Sequence, residues 1–176
     1  MAGLKLCVAA ILLSAPVAVL AQDDLARQII NDPAAPEVNG AKAALIDDAK
    51  AEGGKALRVQ VPKRGANPWD STVGGPIKKP INRGDHLVIF YSARLQQGEN
   101  GATTATLPYT ALQLTAAPYS TIIQGSADIG PEWKQFQVTG VSNGNYKPGE
   151  LKVTMQLATA KQTVDLGPII VLEKGQ

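Results

Sequence analysis

The chain has 176 residues, a length that fits one domain after a short leader. Its 17 Lys+Arg against 15 Asp+Glu give a formal charge of +2 with only isolated basic doublets, Lys63-Arg64 and Lys78-Lys79, so nucleic-acid binding has no electrostatic support. His86 is the single histidine and Cys7 the single cysteine, which excludes a histidine metal cluster and, with Cys7 in the leader, thiolate chemistry and disulfides in the mature chain.

The first 21 residues read as a secretory signal. Met1 to Lys5 form a short n-region, and Leu6 to Leu13 an apolar run too short for a permanent membrane anchor. Small or modest side chains at Val19-Leu20-Ala21 place cleavage before Gln22. The expectation is a secreted or periplasmic protein whose residues 22–176 form one domain.

Asp24 to Ile30 fits a helical turn or a first strand, closed by Asn31-Asp32-Pro33. Ala34 to Gly54 is Ala-rich and ambiguous. Lys55 to Val61 alternates, with Leu57, Val59 and Val61 on one face. Trp69 to Ile81 carries Gly74-Gly75-Pro76 and Lys79-Pro80, which suits an edge strand or two fragments. After the turn Asn82-Arg83-Gly84-Asp85 comes the strongest strand, His86 to Leu95. Further strands are predicted over Tyr109–Thr115, Tyr119–Gln124, Trp133–Thr139, Leu151–Leu157 and Thr163–Leu172. Regular strand-turn spacing with no long amphipathic helix predicts an all-β fold, an antiparallel β-sandwich.

Four blocks, Gly53–Pro62 (GGKALRVQVP), Arg83–Leu95 (RGDHLVIFYSARL), Ile129–Gly140 (IGPEWKQFQVTG) and Gln162–Gly175 (QTVDLGPIIVLEKG), occur in a familiar order. They resemble the jelly-roll carbohydrate-binding modules of the family 4/9 (CenC-like) type, galactose-binding-like sandwiches often appended to xylanases and other glycoside hydrolases. The resemblance covers most of residues 50–175 and implies a jelly roll that binds a polysaccharide or oligosaccharide in a concave sheet groove without cleaving it. Such modules tether a hydrolase to its substrate, and the expectation here is a free-standing binder or one that pairs with a separately encoded glycoside hydrolase. Trp133 matches a position that packs into the core of such modules. The N-x-x-F-E pattern of the first strand has no counterpart after Asn31, where Asp32-Pro33-Ala34-Ala35 stands. The structural calcium that many relatives hold with that glutamate therefore lacks a ligand here. Asp165 alone matches, and one carboxylate does not make a calcium site. No other cofactor is expected.

A sugar is gripped by an aromatic ring on its C–H face and by hydrogen-bonding groups on its hydroxyl rim. Strand parity turns Phe90, Ser92 and Arg94 away from the core, as it does Tyr109 and Gln113 in the next strand and Gln156 near the end. Sharing one concave sheet, these residues would form a saccharide groove, with Trp69 in the loop after Asn67-Pro68 as a further platform. The outer face of any sandwich gives the same alternation, so a structural or protein-interaction β-sandwich stays open as an alternative. A small glycoside hydrolase is the weaker one. It needs two coupled carboxylates, and most of Asp70, Asp85, Asp128, Glu132, Glu150 and Asp165 sit in turns. No nucleophile elbow, phosphate loop or dinucleotide fingerprint accompanies them.

Overall fold

The computed structural model describes residues 25–176. The expected leader and Cys7 lie outside the described residues. Eleven strands follow a helical turn at 25–28: β1 (Glu37–Asn39), β2 (Lys42–Asp47), β3 (Lys55–Val61), β4 (Thr72–Pro76), β5 (His86–Gln97), β6 (Ala105–Leu114), β7 (Thr121–Ile129), β8 (Lys134–Val141), β9 (Leu151–Gln156), β10 (Gln162–Leu166) and β11 (Ile170–Glu173). Among the described residues no helix is long and apolar enough to cross a membrane.

The strands build two antiparallel sheets that pack as a sandwich, as expected. One is five-stranded in the order β1-β4-β9-β6-β7. In the six-stranded sheet β8 lies along one side of β5, and β10 and β11 lie end to end along the other, followed by β3 and β2. The predicted strand over Thr163–Leu172 is thus a single run, interrupted where Gly167-Pro168-Ile169 leaves the ladder. The ambiguous segment Ala34–Gly54 supplies β1 and β2. Asn31 fastens the chain ahead of them: its side-chain amide donates to the Ile169 carbonyl at 2.8 Å, and its oxygen accepts from the Val171 N–H at 2.8 Å.

Alternation sets the core. Leu87, Ile89, Tyr91, Ala93 and Leu95 of β5 are buried against Leu151, Val153 and Met155 of β9 and Leu107 and Leu112 of β6. Tyr91 stacks on Phe136 with ring centroids 5.3 Å apart, and burial pushes its phenol pKa up. The sheets meet closely along β7 and β8 because glycines stand opposite branched side chains. A Cβ on Gly125 would lie 2.8 Å from Val138 Cγ2, and one on Gly140 would lie 2.3 Å from Ile123 Cγ2.

Gly74 is the tightest point of the five-stranded sheet, since a Cβ there would lie 1.9 Å from the Val153 carbonyl oxygen. Backbone cannot yield as a flexible side chain does, so Gly74→Ala must part β4 from β9. We expect a loss of about 1–3 kcal/mol, the usual cost of overpacking, read by urea unfolding. An unchanged midpoint would mean that the β4–β9 ladder is not under this constraint.

Candidate functional site

The two sheets turn chemically different outer faces to solvent. On the six-stranded sheet, Asp165 of β10 stands between Arg58 of β3 and Arg94 of β5, its direct cross-strand partners. Its side chain is 0% exposed. Arg58 donates Nε and an Nη to it at 2.7 and 2.9 Å, and Arg94 does the same at 3.0 and 2.9 Å. Burial raises the Asp165 pKa, but the hydrogen bonds and charges of the two arginines outweigh it and hold the carboxyl below its ordinary value. Arg94 also reaches Asp48 at 2.7 Å, and its guanidinium lies over the Trp133 ring, 5.2 Å from the centroid. The Trp133 indole N–H donates to Asp48 at 3.4 Å and closes the cluster. Trp133 thus covers charge on the outside of the sandwich; it is not in the core, where the resemblance put it, because an arginine rather than an apolar residue lies beneath it.

The outer face of the five-stranded sheet is a polar surface with a floor of small residues. Register places Gly74, Thr154 and Ala111 side by side across β4, β9 and β6. On one side of that row stand Thr72 and Gln156; on the other stand Pro76, Lys152 and Gln113. The Tyr109 hydroxyl donates to Gln113 Oε1 at 3.0 Å and lies 2.6 Å from Thr121 Oγ1 on β7. A tyrosine that reaches a side chain four positions along its own strand must lie along that strand. The ring therefore extends along β6 past Ala111, which is fully buried although it points outward. Two exposed aromatic residues flank this surface. Trp69, 60% exposed, sits in the short turn Pro68–Asp70 that leads into β4. Tyr119, 55% exposed, has Lys152 Nζ 5.8 Å from its ring centroid. Its positive φ of 56° is uncommon for a bulky side chain and holds the ring out from the loop before β7.

The sequence-predicted residues therefore divide between two faces. Tyr109, Gln113 and Gln156 share the five-stranded sheet, with Trp69 at its border. Phe90, Ser92 and Arg94 lie on β5 and face outward from the opposite sheet. They do not join the others in one groove, because strand parity tells inside from outside but not which sheet a strand enters. Arg94 is committed to two carboxylates, and Ser92 is buried. Thr121, Thr154, Lys152 and Tyr119 belong to the first surface and escaped the sequence argument. For Tyr119 the signal was the turn-forming Ala117-Pro118 just before it.

Calcium does not fit at Asp165. Both carboxylate oxygens already accept from guanidinium groups. Among the described residues no group of three or more metal-ligating side chains converges.

No family model matches the sequence, and no curated protein does. Solved structures do match. A CBM4 domain superposes with a TM-score of 0.60 at 19% identity, over 86% of this chain and 99% of its own. The N-terminal cellulose-binding domain of β-1,4-glucanase C from Cellulomonas fimi gives a TM-score of 0.56 at 18% identity, covering 83% and 93%. The CBM22-1 xylan-binding domain of Xyn10C from Paenibacillus barcinonensis gives 0.56 at 12%, covering 80% and 86%. The fold is the jelly-roll sandwich of the CBM4 and CBM22 type. These near-complete matches are binding modules, whereas an arabinose-bound α-L-arabinofuranosidase is matched over only 26% of its length.

Two outcomes test the charge cluster. A carboxyl whose pKa is lowered on folding adds stability above its unfolded value of about 3.9, and that stability is lost as pH falls through the folded value. Asp165→Asn should cost about 1–3 kcal/mol at neutral pH, because the partly exposed guanidinium of Arg58 loses its counter-charge while Arg94 keeps only Asp48, and should flatten the acid limb of the stability curve. A variant as stable as the parent, with the same acid limb, would show that Asp165 carries no such charge. With its oxygens occupied, Asp165 leaves calcium nothing to stabilise, so the melting temperature should be the same in millimolar Ca2+ and in EDTA. A rise with Ca2+ would reveal a cation site elsewhere.

Proposed function

We propose that this protein binds a polysaccharide chain, without cleaving it, across the outer face of the five-stranded sheet. The observation that carries the proposal is Tyr109, half-buried on the outer face and anchored along β6 through its hydroxyl by Gln113 and Thr121. A ring whose hydroxyl is already anchored can turn its face to the C–H side of a sugar at little entropic cost. Gln113, Gln156 and Lys152 surround it with donors and acceptors suited to hydroxyl groups. Trp69 and Tyr119 extend the aromatic surface at its borders. Xylan and cellulose, which the names of the structural neighbours carry, are the first polymers to consider.

Carboxylate placement argues against hydrolysis here. The acidic residues on this sheet's strands are Glu37 on β1 and Asp128 on β7, at opposite edges. Four strand spacings separate them, about 19 Å, against the roughly 5–9.5 Å that a glycosidase pair requires. Export by the leader, with cleavage near Ala21, would deliver the protein to the secreted or periplasmic space where such polymers occur. A separately encoded glycoside hydrolase would then profit from the local concentration that a binder provides.

Affinity gel electrophoresis against xylan, β-glucan, mannan and amorphous cellulose tests this. One polymer should retard the protein; Tyr109→Ala should weaken retention about tenfold or more, as loss of a stacking ring and its buried area does. Trp69→Ala and Gln156→Ala should weaken it less, and Phe90→Ala, on the opposite sheet, should leave it unchanged. Retention that survives Tyr109→Ala but falls with Phe90→Ala would move the site to the other face. Free migration on every polymer would end the proposal.

A further inference from the structure

β2 is the last strand of the six-stranded sheet, and among the described residues no strand lies along its outer side. Such an edge invites pairing with another chain, and proteins usually blunt it with proline, a bulge or an inward charge. β2 has none at its centre. It runs Lys42-Ala43-Ala44-Leu45-Ile46-Asp47 and pairs with β3 without a register shift. Leu45 is 67% exposed, more than any other large apolar side chain among the described residues. It stands at the rim of a cavity of about 540 Å³ between the sheets, walled by Leu57, Val73, Val153, Leu166 and Ile169.

The free hydrogen-bonding groups can be assigned. The Asp48 N–H donates to the Gly54 carbonyl at 3.0 Å, which carries the β2–β3 ladder one residue further. Backbone groups of alternate residues point to opposite sides of a strand. Residues 42, 44, 46 and 48 therefore bond to β3, and Ala43, Leu45 and Asp47 present N–H and C=O to the open side.

We propose that two copies of this chain pair β2 to β2, antiparallel, about a two-fold axis through Leu45. A two-fold pairing must set open groups against open groups. With the axis at Leu45, that residue exchanges both bonds with its own copy, and Ala43 does so with Asp47 of the other chain. Side chains then match on both faces. Leu45 meets Leu45 on the cavity side. On the outer side, at the closer Cα spacing of about 4.5 Å, Ala44 lies opposite Ile46 and Lys42 lies opposite Asp48, a carboxylate that also holds Arg94 and Trp133 of its own chain. Moving the axis to Ala44 would put Lys42 opposite Ile46, and moving it to Ile46 would put Asp47 opposite Leu45. The Leu45 axis alone among these three sets unlike charges together and apolar groups together. The pairing joins the two six-stranded sheets into one and covers the exposed leucines.

Sedimentation velocity over a wide concentration range should show a monomer passing to a dimer, with tighter association at low salt. Leu45→Pro removes only N–H groups that point to the open side, so the β3 ladder persists, and dimerisation should weaken about tenfold or more. Lys42→Glu, whose melting temperature should match the parent, sets like charges opposite each other and should weaken it similarly. In a Cys7→Ser background, Leu45→Cys should cross-link to itself, since hydrogen-bonded pairs bring Cα atoms to about 5.5 Å, within disulfide range. Ala44→Cys should not. A parent that stays monomeric at every concentration overturns the proposal. So does a dimer indifferent to Lys42→Glu, or one that cross-links through residue 44 rather than 45.

Discussion

A single carboxylate, buried without access to solvent, governs one half of this molecule. Asp165 lies at the middle of the six-stranded sheet, and a lone charge there would be far too costly to bury. Two arginines from the flanking strands meet that cost, which fixes β3, β10 and β5 in one register: Arg58, Asp165 and Arg94 must stand in a row. The remaining donor capacity of Arg94 then calls for Asp48, and the guanidinium face for Trp133. The loop after β2 and the entry to β8 are both drawn over the sheet by that sequence of requirements.

The same requirement settles which face is free to recognise something else. An arginine spent on two carboxylates has little left for a ligand hydroxyl, so the outer side of β5 is closed at Arg94 by its own chemistry. The five-stranded sheet has no buried charge to neutralise. Its polar residues bond to one another at the surface, as Tyr109, Gln113 and Thr121 do, bonds with which the hydroxyls of the proposed ligand would exchange. Small residues at the centre, Gly74 and Ala111 among them, leave the space that larger side chains would fill.

Much of this was legible in the sequence, and the losses have identifiable causes. His86 to Leu95 and Lys55 to Val61 alternate because one face is buried and the other is not, so their orientation was readable. β2 was not, because nearly all its residues are exposed: an edge strand that overhangs the opposing sheet feels no burial contrast and leaves no period in the sequence. Thr163 to Leu172 read as one strand because its two halves do follow one line along β5, and only Gly167-Pro168 marks the break. The separation of Phe90 and Arg94 from Tyr109 and Gln156 was out of reach, since it depends on which strands are neighbours. That neighbourhood is fixed by long-range pairs such as Arg94 with Asp165, 71 residues apart.

Arg94 shows why a resemblance that is sound for the fold can mislead at the level of a site. Its alternation with Ala93 and Leu95 says that it points outward, and an outward arginine beside aromatic residues looks like a sugar contact. The deciding fact is on the neighbouring strand, 71 residues along the chain, in a carboxylate that faces the same side at the same level. Burial then separates the readings. A ligand-binding arginine keeps donors in solvent until the ligand arrives, whereas Arg94 has its guanidinium bonded on both sides, stacked on an indole, and mostly out of water. Tyr109 presents the opposite case. Its hydroxyl is anchored at the end of the ring, and no ion pair or stacking partner occupies the ring itself among the described residues. An aromatic ring that is positioned but not consumed by its own neighbours is what a binding residue needs, and Tyr109 on the five-stranded sheet meets that condition where Arg94 does not meet its counterpart.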